Sequence, residues 1–229
     1  MTNAMTSAYF SHVRRDIEEL LPPRAERIVD VGCGVGATAS WLRSLYPGCF
    51  TIGLEGNAAC LPELQSHVDQ ATIVDLNGDL PDLGSPDLVL CLDVLEHLMN
   101  PQQVLDQLRL AMRPDSTLIV SLPNVAHLSV ALPLLLAGKF EYTDAGILDR
   151  THLHFFTRRS AAALVTGAGF QIERGIRDGL DGPRSKWLDK ATFGLLRDRL
   201  TRQYVMAAHP QRSGRPSPRI TWNAAHPYG

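Results

Sequence analysis

Three glycines at alternate positions follow an acid in Asp30-Val-Gly-Cys-Gly-Val-Gly36. Glycine accepts left-handed backbone and lets the main chain come close to a ligand. Two more carboxylates close apolar runs: Glu55 after Phe50–Leu54 and Asp75 after Ala71–Val74. A glycine turn with acids at successive run ends suits a ligand built on a nucleoside, whose hydroxyl and amino groups donate to carboxylates. Histidines 97, 127, 152 and 154 all fall after the fourth apolar run, Leu88–Leu92. With an unperturbed pKa of about 6.5, imidazole is suited to moving protons near neutral pH.

Two ligands compete for the glycine turn. Gly32-x-Gly34-x-x-Ala37 fits a dinucleotide fingerprint, with Glu55 at the distance of a ribose acid. Asp30, two residues before the first glycine, argues instead for a ligand with a cationic part, since a pyrophosphate would be repelled there.

The elements that must position these residues follow from pattern. Apolar runs of strand length at 27–31, 50–54, 71–76, 88–92 and 117–122 alternate with helical stretches at 36–45, 58–68 and 101–112. That alternation predicts a parallel, doubly wound α/β sheet. Tyr9–Leu21 reads as an amphipathic helix stopped by Pro22-Pro23. Beyond Pro123 the chain is less regular. An apolar helix near 125–136, broken at Pro133, leads to an irregular aromatic stretch up to Phe156. Thr157 caps a further helix, and strands at 170–176 and 202–208 finish the sheet. Residues 209–229 lack periodicity and read as a disordered tail.

The glycine motif, Glu55, Asp75 and Asp93-Val-Leu-Glu-His97 occur in the order of the class I S-adenosylmethionine-dependent methyltransferases. The chain resembles that family, in its type 11 and type 23-like group, over roughly residues 9 to 208. The resemblance implies a Rossmann-like, seven-stranded, mostly parallel sheet with helices on both faces and an antiparallel last strand. It implies one domain over 1–208, with an acceptor-side insertion at about 123–157. It implies S-adenosylmethionine as cofactor and S-adenosylhomocysteine as product. Glu55 would take the ribose hydroxyls, and Asp75 with the Leu76 amide the adenine edge. Gly56, Asn57, Leu76 and Leu92 would flank the ring. Gly32, Gly34, Asp30 and the Leu92 carbonyl would face the methionine end, with Tyr9 and Arg14 closing over its carboxylate.

On the acceptor side the expected base is His127 or His152, with Asp149 as an orienting carboxylate. The segment from Gly146 to Thr157 is similar to one in the type 23-like subgroup, which has arginine where this chain has His154. His152-x-His154 lacks a third ligand, so no metal is expected. Phe140, Tyr142, Phe155 and Phe156 suit either an acceptor pocket or the core. The expected reaction is O-methylation of a small molecule such as a sugar, phenol, quinone or glycolipid precursor. The alternatives are a non-catalytic S-adenosylmethionine-binding subunit, which would have no working base, and a nicotinamide-dependent enzyme.

Composition narrows the setting. At 229 residues and 45% hydrophobic content the chain suits one globular domain. Residues 1–149 carry 8 basic and 19 acidic side chains, and residues 150–229 carry 14 and 5. That asymmetry suits a solvated basic end rather than a nucleic-acid surface, since arginines and aromatics are not interleaved. The longest apolar stretch, 125–137, is too short to span a bilayer. Four cysteines without a C-x-x-C pair and an amino terminus without a secretion signal point to the cytoplasm. A homodimer is compatible with the exposed-helix reading of 125–136.

Overall fold

Alternate residues of the strands bury on opposite faces, so one sheet carries two cores. Ile28, Leu88, Leu90, Ile119 and Val205 pack on one side with Ile17, Leu20 and Leu42. Val29, Val31, Val89, Cys91 and Val120 pack on the other with Leu105, Leu108, Val165 and Phe170. Strands covered on both faces must be apolar throughout, which is why they stand out as continuous runs. The computed structural model describes residues 12–180, 182–211 and 220–224.

The strands are β1 (Arg27–Val31), β2 (Phe50–Glu55), β3 (Gln70–Ile73), β4 (Leu88–Leu92), β5 (Thr117–Pro123), β6 (Phe170–Asp178), β7 (Gln203–Pro210) and β8 (Thr221–Ala224). Their order is β3-β2-β1-β4-β5-β7-β6-β8. β1 to β5 run parallel, and β7 lies antiparallel to both β5 and β6. The chain reverses its direction of travel across the sheet between β1 and β4. Open α/β sheets bind ligands beyond the strand carboxyl ends at such a switch point.

The helices are α1 (Ala37–Leu45), α2 (Leu61–His67), α3 (Pro101–Ala111), α4 (Leu128–Ala137), α5 (Arg158–Gly167), α6 (Pro183–Ala191) and α7 (Arg197–Leu200). Pro101 starts α3 behind an Asn100 cap, and Thr157 with Ser160 forms a capping box on α5. α4 continues through Pro133 and ends at Gly138, which has a left-handed backbone. Among the described residues no helix is long and apolar enough to cross a membrane.

Three local expectations are corrected. The amino-terminal helix is a 3-10 turn at Arg15–Leu20, because Arg14 leaves helical geometry (φ −83, ψ 70). Residues 1–11 lie outside the described part of the chain. β3 ends at Ile73, three residues early, since Asp75 and Asn77 close a turn on themselves. The sheet has an eighth strand inside the stretch read as a tail. β8 lies parallel to β6, and Trp222 fits where Gly175 leaves room: a Cβ there would meet Trp222 Cε3 at 2.5 Å.

Candidate active site

The glycine turn is fixed by β2. Gly32 and Cys33 both donate to the Leu54 carbonyl, at 2.8 and 3.2 Å. Gly32 has φ +69, and a Cβ there would lie 2.6 Å from Val94 Cγ2, so no other residue fits without movement. At the end of β2, Glu55 accepts from Gly34 N through Oε2 and from Asn57 N through Oε1, both at 2.8 Å. Its carboxylate is therefore held still, while lone pairs on both oxygens remain for further donors.

Asp30 is 3% exposed. Burial and the charge of Glu55 push its carboxyl up to about 7, and Arg14 offsets only part of this. Burial first, then Asp30 and Glu55, raises the Cys33 thiol above its usual range, so it stays neutral.

β1, β2, β3 and β4 bring the expected cofactor residues to one end of the sheet. Glu55 ends β2, with Gly56 exposed just beyond it, and Leu92 ends β4, half-buried. Asp75 is exposed, and its Oδ1 accepts from Asn77 N and Nδ2 at 2.9 and 3.1 Å. Leu76 is buried beside it. Tyr9 lies outside the described residues.

Arg14 reaches the end of β4 but is already engaged by acids. Its guanidinium donates in a fork to Asp16 at 2.8 and 2.7 Å, and also to Asp93, Ser121 and Gln203. Burial alone would lower its pKa, but Asp93 and Asp16 outweigh this and raise it. Asp93 has a left-handed backbone (φ 55) and bonds through its amide and carboxylate to Ser121 Oγ. Gln203 Nε2 donates to the same carboxylate. A cavity of about 410 Å³ lies here, lined by Arg14, Asp93, Asp178 and Gln203 among others. Ser121 and Gln203 were not among the expected residues.

The histidines part company. His127 is the amino-terminal cap of α4: its Nδ1 accepts from Ser129 N at 3.2 Å, which puts the proton of the neutral ring on Nε2. Burial and Arg202 lower its pKa. His152 is buried, and its Nδ1 donates to the Ile147 carbonyl at 3.1 Å. That tautomer keeps the lone pair on Nε2, which lies 3.9 Å from Glu96 Oε1.

Asp149 bonds to Thr151, not to His152 directly: it accepts from Thr151 N at 2.8 Å and Oγ1 at 2.6 Å. Thr151 Oγ1 in turn lies 3.0 Å from His97 Nδ1. Burial would raise Asp149, but these Thr151 bonds and the two histidines hold it below the usual carboxylate range. The rings of His97 and His152 meet edge-on at 4.7 Å. Burial and then His152 lower the pKa of His97.

The sequence places Glu96 and His97 in the motif after the fourth strand, as part of the fold or the pocket floor, with His97, one of the four candidate histidines, near the expected methyl group. In the structure the Glu96 carbonyl accepts from Leu153 N and His154 N at 2.8 and 3.1 Å. Those bonds pin the 140–157 segment against the turn after β4. The Glu96 side chain is buried, and burial and Asp93 raise its pKa well above the carboxylate range. His154 points elsewhere, with Nε2 at 3.3 Å from the Met99 carbonyl. Phe140, Tyr142 and Phe155 form an edge-to-face cluster next to His152, while Phe156 belongs to the core.

Comparison with known proteins places this geometry. Residues 5–174 match the family model of a methyltransferase domain (type 23). The chain is similar to trans-aconitate 2-methyltransferase of Deinococcus radiodurans, 31% identical over 159 residues, which are 68% of this chain and 59% of that one. It is also similar to a ubiquinone biosynthesis O-methyltransferase of Azorhizobium caulinodans, 29% identical over 77% of this chain and 71% of that one. It spans 49% of a second trans-aconitate 2-methyltransferase, from Variovorax paradoxus. Among solved structures, an S-adenosylmethionine-dependent methyltransferase from Mesorhizobium loti superposes with a TM-score of 0.59 at 16% identity, over 84% of this chain and 95% of that one. The [4+2]-cyclase SpnF superposes at 0.57 and 14% identity, over 90% and 80%, so the fold by itself does not fix the reaction.

Proposed function

The chain belongs to the type 23 methyltransferase-domain family, whose cofactor is S-adenosylmethionine, and on that premise we propose that it methylates an oxygen of a small-molecule acceptor. The acceptor class we favour is a sugar, phenol, quinone or glycolipid precursor. Support comes from the relatives' O-methyltransferase names and from the histidine cluster at the strand carboxyl ends. A cytoplasmic setting belongs to the same proposal, on four unpaired thiols.

The cradle fits the cofactor. Gly32 holds the turn in a left-handed backbone packed against Val94, Glu55 is pre-oriented for two hydroxyls, and Asp30 is a buried acid beside the turn. Bound S-adenosylmethionine supplies a methyl carbon made electrophilic by its sulfonium. The chain then has to align the acceptor and take its proton.

We assign that proton to His152, the single observation being its tautomer. Ile147 holds Nδ1 and leaves the Nε2 lone pair available. His127 has the opposite tautomer and serves α4 as its cap. A general base contributes about 10²–10⁴-fold. His152→Ala is therefore expected to lose turnover in that range with S-adenosylhomocysteine affinity preserved. Full turnover in this variant, in an acceptor screen on sugars and phenols, would rule His152 out.

Asp30 gives a pH test of the cofactor arrangement. With its carboxyl at about 7, it carries a proton in more acid solution, and a cationic ligand favours the ionised form. Affinity for S-adenosylmethionine should rise by up to about tenfold per pH unit as the pH climbs towards about 7 and level off above it. Calorimetry with S-adenosylmethionine and NAD in parallel checks both points. A flat pH profile would remove Asp30 from the cation, and binding of NAD alone would overturn the methyltransferase reading.

A further inference from the structure

Glu96, His97 and His152 each offer one donor atom, and the three atoms lie within 4.8 Å of one another. We infer that these residues form a binding site for a divalent transition-metal ion. The site stands on geometry that needs no methyltransferase chemistry; only its consequence for the acceptor rests on the function proposed above.

Three observations carry it. Glu96 Oε2 is buried and has no hydrogen-bond partner among the described residues. Buried polar atoms are nearly always satisfied, so this oxygen is one that a bound ligand would complete. His152 donates Nδ1–H to the Ile147 carbonyl, leaving Nε2 as a free donor 3.9 Å from Glu96 Oε1. His97 has its own support. Thr151 Oγ1 gives its proton to Asp149, so it accepts from His97 Nδ1 and leaves Nε2 of that ring with its lone pair. Metal-binding histidines are held in this way, the second nitrogen donating to a carbonyl or to a group backed by a carboxylate.

The donor set selects the ion. Two imidazoles and a carboxylate suit zinc, iron, cobalt or manganese, whereas magnesium and calcium favour oxygen ligands throughout. Bonds of about 2.0–2.2 Å put the donors of a tetrahedral ion about 3.3–3.6 Å apart. The His152–Glu96 pair is close to this, and the widest separation must close by about 1.3 Å, within reach of side-chain rotation. An ion here would tie the turn after β4 to the 140–157 segment and keep a fourth position open. It would also occupy the Nε2 lone pair of His152, so the proton transfer proposed above belongs to the metal-free chain, and a bound ion is expected to lower its turnover.

The test uses the full chain, stripped with chelator and titrated with zinc against a chromophoric chelator, then with cobalt. One equivalent bound with a dissociation constant of about 1 µM or below, together with the visible absorption of low-coordinate cobalt, is expected. His97→Gln and His152→Ala should each weaken zinc at least about a hundredfold, and Thr151→Val about 10–100-fold through His97. Binding weaker than about 100 µM, or equal binding by the wild type, His97→Gln and His152→Ala, overturns the site. His97 is only half-buried, so its variant remains informative if His152→Ala fails to fold. S-adenosylhomocysteine titrated into the same samples separates the two readings. Retained cofactor binding without metal binding removes the ion alone.

Discussion

Replacing Glu55 with alanine is expected to weaken S-adenosylhomocysteine binding between tenfold and about a hundredfold. A charge-assisted hydrogen bond is worth about 1.5–3 kcal/mol, and tenfold in affinity corresponds to about 1.4. The carboxylate also organises the cradle. Without it, Gly34 N and Asn57 N lose their acceptor, and the second turn of the glycine segment is no longer tied to β2. Glu55→Gln should fall between, because the amide oxygen can still accept one N–H while its NH₂ faces the other. Calorimetric titration of the two variants checks this. An affinity unchanged in Glu55→Ala would remove the residue from the ribose.

The second large effect is on stability. Arg14→Ala is expected to cost about 2–3 kcal/mol, since it strips the partner from Asp93 and Asp16 in a buried network. The range sits below that of a fully buried pair because Asp93 is 36% exposed. For a chain of this size that is a fall of about 4–12 °C in Tm. Arg14→Ala combined with Asp93→Asn should recover part of the loss, because the stranded charge is removed with its partner. A Tm within about 1 °C of the wild type would show that water compensates the acids and that the network contributes little.

The positions of the proposed cofactor residues were legible because they lie at strand ends. Glu55 and Leu92 close apolar runs and Asp30 stands one residue before the end of β1, so reading the runs located these positions. Parallel register then brings them together without any information about side-chain contacts. The acceptor half was not legible in the same way. Glu96 and His152 are 56 positions apart and meet only because the Glu96 carbonyl captures Leu153 N and His154 N. A backbone bond between a turn and an irregular segment leaves no periodicity to read. The same holds for Thr151, which stands between Asp149 and His97, and for Gln203, which reaches Asp93 from the start of β7. Arg14 was expected at this end of the sheet and is there, but its engagement by Asp16 and Asp93 depends on a left-handed aspartate that no motif announces.

The eighth strand changes how the molecule meets other copies of itself. The outermost strands, β3 and β8, are four residues long, whereas β6 beneath β8 has nine. A bare nine-residue border would offer a long ladder of unsatisfied amides and carbonyls, on which another chain's strand could template. By laying Trp222 into the hollow at Gly175, and by Arg177 donating to the Trp222 carbonyl at 3.1 Å, β8 covers the Arg174–Arg177 part of that border. Its pairing with Arg174–Arg177 leaves a four-residue strand as the outer border there, and a short edge is a poorer template for edge-wise polymerisation.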